Sequence, residues 1–208
     1  MAQGFTLLEL LIAVAMLAIL AGLAAPSFSD YLATNNVFSH RQDINVAINT
    51  ARTEALNRNK TVVICPSVNS ADCGGSWKDG WIIFLDDGGL GSGVSRDGIR
   101  NGTEEVINAF DYNGPNSIKV EDADTDTLIT SLSFNERGRP AHLGQATSRR
   151  VLITVCDKDN NANLARGLLL IGTGRLIRTQ DSNNDGIHES RFVNDSGTVD
   201  LNSNLSCS

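Results

Sequence analysis

The amino-acid sequence predicts an α+β chain in which one long N-terminal helix packs on an antiparallel β-sheet head. Two observations carry this. Residues 5–58 hold apolar side chains without a strand-like alternation, first as an unbroken run and then at helical spacing. From Thr61 onward the chain changes to short β-branched runs separated by Asp, Asn and Gly clusters. No strand–helix–strand alternation follows, so an antiparallel sheet packed on the helix is expected ahead of a doubly wound fold.

The helix has two different halves. Phe5 to Ala25 contains one charged residue, Glu9, and spans about 31 Å as a helix, the thickness of a bilayer core. Pro26 follows it, and a bend is expected there or at Asn35-Asn36. Beyond it, Ile44, Ala47, Ile48, Ala51 and Ala55 share one face, with Arg41, Asn45, Arg52 and Asn59 placed elsewhere. The expected strands are Thr61–Cys65, Gly80–Leu85, Glu104–Phe110, Leu128–Phe134, Val151–Cys156, Gly167–Ile171 and Arg175–Thr179. Gly172-Thr173-Gly174 is read as the turn joining the last two. Long Gly- and Asp-rich loops are expected at 86–103 and 111–127.

Charge is distributed unevenly. The chain of 208 residues has a formal net charge of −7, but residues 61–136 carry 4 basic and 13 acidic side chains, and residues 137–191 carry 9 and 5. An acidic middle therefore adjoins a mildly basic later part, and a whole-chain argument against nucleic acid loses force. The four cysteines, Cys65, Cys73, Cys156 and Cys207, allow three pairings that the sequence does not separate. The expected pairs are Cys65–Cys73, closing a short loop, and Cys156–Cys207, tying the C-terminus to a strand. Zinc is disfavoured because there is no CxxC and His40, His142 and His188 are scattered.

A carboxylate inside hydrocarbon costs about 3 kcal/mol at a helix centre, so Glu9 calls for a partner or a function. The stretch Gly4-Phe5-Thr6-Leu7-Leu8-Glu9, followed by the apolar run, resembles the class III prepilin signal of type IV pilins and type II secretion pseudopilins. A secretory signal peptide differs, since its small-residue cleavage site follows the apolar core. The resemblance implies cleavage after Gly4 by prepilin peptidase and N-methylation of Phe5. It also implies that Glu9 pairs with the Phe5 ammonium of a neighbouring subunit in a filament, where a buried anion is tolerated if a cation and hydrogen bonds meet it.

Further residues extend the resemblance to the GspH/FimT family: Trp77-Lys78-Asp79-Gly80-Trp81 with Ile82–Asp86, Thr103–Ile107, Leu132–Pro140, and Gly174-Arg175. It implies a pilin-like fold with a leader at 1–4, a transmembrane and filament-core helix at 5–25, an amphipathic helix at 26–60 and a periplasmic β-rich head at 61–208. Trp77, Trp81 and Phe84 read as core, Gly80 and Gly138 as turn residues. The implied function is a structural minor pilin or pseudopilin of the bacterial inner membrane. It would prime or cap a type IV pilus or a type II secretion pseudopilus, with other pilins and prepilin peptidase as partners.

The alternative within the family is a DNA-binding minor pilin acting in DNA uptake. Arg175 and Arg178 are the candidates, with Arg149, Arg150, Arg166 and Arg191 nearby in sequence. The resemblance implies Gly-Arg-x-Arg, whereas Gly174-Arg175-Leu176-Ile177-Arg178 has one residue more, which on a strand puts the two arginines on opposite faces. One further site is legible. Asp181, Asn183 and Asp185 alternate ahead of Gly186, as in a calcium loop, and Glu189 is a candidate fourth ligand. Phe192 stands where an EF-hand has Glu, so the alternatives are a non-EF calcium loop or an ordinary Asp/Asn/Gly turn. No other cofactor is expected. No G-x-S-x-G, Walker loop or H-E-x-x-H occurs, and the expectation is a fibre subunit, not an enzyme.

Overall fold

The structure is a computed structural model, describing residues 6–89, 95–100, 103–112, 114–141, 150–189, 192–193, 199–200 and 204–207, with the side chains of 23–27, 192–193 and 199–200 left out. Gly4, Phe5, His142, Arg149 and Arg191 lie outside the described residues.

Helix α1 spans Leu7–Arg58, 52 residues, or about 78 Å at the helical rise. It is continuous through Pro26 and Asn35-Asn36, so neither ends it. Its C-terminus stops at Asn59, whose left-handed φ of 53° turns the chain while its N–H donates to the Ala55 carbonyl. Arg58 in the last turn donates to Glu54 at 2.7 Å and Glu105 at 2.8 Å, placing positive charge where the helix dipole favours it.

Among the described side chains of α1, the first that is buried is Val37. From there a stripe of Val37, Arg41, Ile44, Ile48, Ala51 and Ala55 is buried, with His40 and Ala47 flanking it. Arg41 corrects the expectation that it sits off the packed face. Its steps of four and three residues place it on the stripe, and its guanidinium lies over the Phe38 ring, 4.9 Å from the centroid.

The head contains two larger sheets where one was expected. The first runs β3-β2-β1-β5-β6, from β1 (Val62–Pro66), β2 (Gly80–Leu85), β3 (Val106–Asp111), β5 (Leu132–Phe134) and β6 (Pro140–Ala141). The second runs β4-β7-β8-β9, from β4 (Ser117–Asp122), β7 (Val151–Cys156), β8 (Arg166–Leu170) and β9 (Leu176–Arg178). A two-stranded pair, β10 (Phe192–Val193) and β11 (Val199–Asp200), stands apart. Every pairing within them is antiparallel.

β4 overturns the reading of 111–127 as loop. Ile118 and Val120 point inward at period two and join the core, while β4 pairs with β7 along its whole length, from Ser117↔Cys156 to Asp122↔Val151. The aspartates that suggested a loop close the turn after the strand: Asp122 Oδ1 accepts from the Asp124 and Thr125 amides.

The inner faces of both sheets meet α1 in a single core. Val62, Ile64, Trp81, Ile83 and Leu85 come from the first sheet, Val151, Ile153, Val155, Leu168 and Leu170 from the second. Each sheet also buries its outer face, which is why β1, β2 and β7 are buried at every residue. On the first, Val63, Cys65, Ile82 and Phe84 pack with Cys73 and Val106. On the second, Leu152 and Cys156 pack with Ala165, Leu205 and Cys207. Phe84 is thus core, as expected, but of the outer cluster and not the one around the helix.

Candidate functional site

The N-terminus of α1 is built by two residues three positions apart in the signal-like segment. Thr6 is the N-cap: its Oγ1 accepts from the Glu9 amide at 3.2 Å, and Glu9 Oε2 accepts from the Thr6 amide at 3.0 Å and the Thr6 hydroxyl at 2.9 Å. This reciprocal capping box satisfies helix donors that otherwise have no partner. The sequence reading missed Thr6, although Thr-x-x-Glu ahead of an apolar run is the signature of such a cap. Glu9 therefore has a local role in a single copy, and one oxygen already engaged.

The helix beyond it is uncovered. Residues 6–22 are all exposed, with Leu7 at 77% and Leu17 at 70%. A row of Leu, Ile and Val in that condition is stable only against lipid or other apolar helices. Among the described residues, no helix is long and apolar enough to cross a membrane. The apolar run read at 5–25 extends past the described side chains at both of its ends.

Two disulfides lie on the outer faces of the two sheets. Cys65 bonds Cys73 across a separation of 8 residues, and Cys156 bonds Cys207 across 51. The first holds the loop after β1 over the first sheet's outer cluster; the second fastens the chain's end to β7.

The motif turns converge. Gly174, φ +80°, follows β8, and a Cβ there would sit 2.3 Å from the Gly138 carbonyl oxygen of the β5–β6 turn. Arg52 of α1 donates through Nε to that same oxygen at 3.0 Å. One helix side chain thus holds the β5–β6 turn and lies against the turn after β8, and no residue larger than glycine fits at 174.

Arg175 is exposed just before β9, and Arg178 is exposed within it. The charges of Arg178 and Arg166 act on Arg41, whose pKa is lowered by burial first and by these two neighbours second. His188 is lowered as well, by burial and then by Arg166. The charges of Arg166 and Arg178 therefore reach Arg41 on the packed helix, and Asp181 acts on Arg166 from the acidic side.

The acidic loop follows β9. One carboxylate oxygen from each of Asp181, Asp185 and Glu189 lies within 4.8 Å of the others. Asn183 is tied to them, donating through Nδ2 to Asp185 Oδ2 at 3.1 Å while its Oδ1 accepts from the Asp185 amide at 2.8 Å. The loop closes through the Gln180↔Glu189 bridge, and Glu189 also bridges Asn204 from the C-terminal segment.

Comparison with known proteins settles the family. Residues 1–25 match the prokaryotic N-terminal methylation motif, and residues 40–174 match the family described as type II transport protein GspH. The chain belongs to the GspH family. Pilin and pseudopilin families are structural, their members assemble with other pilins, and the methylation motif marks a membrane-anchored member of that class. The fold of this GspH-family chain is similar to the crystal structure of the type IV minor pilin FimU of Pseudomonas aeruginosa. The TM-score is 0.50 at 17% identity, over 70% of this chain and 90% of that one. The minor pseudopilin EpsH of Vibrio cholerae gives a TM-score of 0.40 at 10% identity, over 72% of this chain and 98% of that one. No curated protein matches the chain by sequence.

Proposed function

We propose that the chain is a minor pilin or pseudopilin subunit that is cut after Gly4, methylated at Phe5 and built into a type IV pilus or type II secretion pseudopilus, where it primes or caps the filament. Residues 5–25 are its single pass through the inner membrane and later its part of the filament core. Residues 26–60 are the amphipathic continuation, and 61–208 the periplasmic head. The observation that carries this reading is the uncovered apolar half of α1 with Glu9 at its first turn. In a membrane the lipid covers that half, and in a filament neighbouring helices do. Glu9 then exchanges its Thr6 contacts for the cationic amine that cleavage creates on a neighbour's Phe5, which compensates its burial.

Mass spectrometry of the chain purified from membranes tests the processing. The mature chain is expected to lack Met1–Gly4 and to carry one methyl group on Phe5. Gly4→Leu is expected to retain all four leader residues. Glu9→Ala is expected to insert in the membrane but to fall at least tenfold in cross-linked filament fractions. Normal incorporation of that variant removes the pairing. The pilins cross-linked to the unaltered chain identify the machine it serves.

DNA uptake is the second reading, and the positive cluster of Arg41, Arg166 and Arg178 is the observation that favours it. Against it, Arg175 and Arg178 stand three positions apart, on opposite faces by alternation, and Arg41 is buried. The chain is expected to give no mobility shift with duplex DNA. A shift whose binding constant falls steeply with salt would reverse this preference, since phosphate contacts release counterions.

A further inference from the structure

The loop that follows β9 gathers carboxylates without supplying a cation. Asp181, Asp185 and Glu189 bring their oxygens within 4.8 Å of one another, and none makes an ion pair within 4 Å among the described residues. Arg166 is close enough to feel the charge of Asp181, yet its guanidinium donates to the Asn163 and Ala165 carbonyls. Backbone amides take part of the negative charge. Asn184 and Gly186 donate to Asp181, Ile187 to Asp185, and Ser182 to Glu189 Oε2 at 2.7 Å. They leave one group unserved.

That group is Glu189 Oε1. Glu189 is fully buried, at 0% exposure, and Oε1 has no hydrogen-bond partner among the described residues. A buried carboxylate oxygen without a donor costs several kcal/mol, so its retention calls for a ligand. The carboxylate is held by the Ser182 amide on its other oxygen, and its main chain is fixed on both sides. The Glu189 amide donates to the Gln180 carbonyl at 3.0 Å, and the residue bridges Asn204.

We propose that Asp181, Asp185 and Glu189 bind one calcium ion, with Asn183 at the edge of the site. The donor set is all oxygen, which selects a hard cation over zinc or copper. The histidine of the loop is otherwise employed: His188 Nδ1 donates to the Thr179 carbonyl at 2.9 Å. Oxygens spread over as much as 4.8 Å are bridged by an ion with bonds of about 2.4 Å, whereas magnesium, at about 2.1 Å, requires a tighter and more regular shell. The ion would also act on the chain's end. Asn204 donates to Asp185 at 2.8 Å, and the Leu205 amide donates to the His188 carbonyl at 2.8 Å. Two residues on, Cys207 is bonded to Cys156. Calcium thereby locks the C-terminal segment to the loop at one point and the disulfide locks it to β7 at another.

The test uses the full chain in detergent, stripped with EDTA and titrated with calcium chloride. One equivalent is expected to bind with a Kd on the order of 10⁻⁴ M, the range of extracellular calcium modules. At 10 mM calcium the melting temperature is expected to rise by about 5 °C, and amide exchange at Glu189 and Leu205 to slow. Asp185→Asn, at an exposed position, is expected to lose the calcium response, melting at the same temperature in calcium and in EDTA. Glu189→Gln is expected to lose it too. Equal melting temperatures in calcium and EDTA overturn the proposal. An equal response to magnesium also overturns it, as screening by any divalent ion. A calcium shift that survives in Asp185→Asn overturns the placement.

Discussion

Trp81→Ala is expected to destabilise the head by about 4 kcal/mol, the cost of removing a fully enclosed indole. Trp81 is 1% exposed and lies in the middle of the first sheet, between Pro66 of β1 and Phe110 of β3 in register. Its ring stacks on Phe110 with centroids 4.5 Å apart and planes at 11°, and His40 of α1 lies stacked beyond it at 6.0 Å. The indole therefore joins strand to strand and sheet to helix. The neighbours that would have to refill the space are held by two sheets, so little collapse is available and the cavity cost stays high. Domains of this size are stable by about 5–15 kcal/mol, and the variant would retain only part of that. Urea denaturation followed by far-UV circular dichroism measures it, as a lower midpoint at constant slope. A loss below about 1 kcal/mol would show that the helix and sheet hold together without this ring. Trp77 reports the same transition by fluorescence, because its indole is anchored separately, to the Ile129 carbonyl at 3.0 Å.

The helix and the strands around Trp81 were legible because period and composition agree there. Apart from Thr154, Gly80–Leu85 and Val151–Cys156 carry no polar side chain, which suits strands buried on both faces, and their limits were readable from the turn residues beside them. β4 was not legible, since Lys119, Glu121 and Asp122 hide the alternation of Ile118 and Val120 in an acidic stretch. Which strands share a sheet was likewise beyond the sequence: β1 pairs with β5 across some 65 residues, and local pattern says nothing about partners so distant.

Charge misled the reading of the helix as well. Arg41 occupies a step of the stripe that runs Val37, Arg41, Ile44, Ile48, and spacing alone would have buried it. At the N-terminus the reverse happened: Glu9 was noticed for its charge, while the cap it forms with Thr6 was overlooked. The loop from Asp181 was readable by its alternating oxygens. That Glu189 is buried depends on its bridges to Gln180 and Asn204, contacts that only the fold creates.

His40 is the source of the second large effect, a loss of stability on mild acidification. It lies on α1 at 1% exposure, and its ring stacks on Tyr112 with centroids 3.6 Å apart. Neither Nδ1 nor Nε2 has a hydrogen-bond partner among the described residues. Burial pushes its pKa down to about 4 from the ordinary 6.5. Between those values the unfolded chain binds a proton that the folded chain refuses, so stability rises with pH across that window. The contribution is fully present above about pH 7 and is lost progressively as pH falls from about 6.5 to about 4. It amounts to about 3 kcal/mol at the acid end. His188, also lowered by burial, adds in the same direction. His40→Phe keeps a ring in the stack and removes the titration. Its unfolding free energy is therefore expected to fall less steeply than the parent's between pH 7 and pH 5, by denaturant titration at each pH. Parallel pH dependences for parent and variant would show that His40 accepts its proton in the folded state, and that the packing of α1 against Tyr112 opens readily enough to admit it.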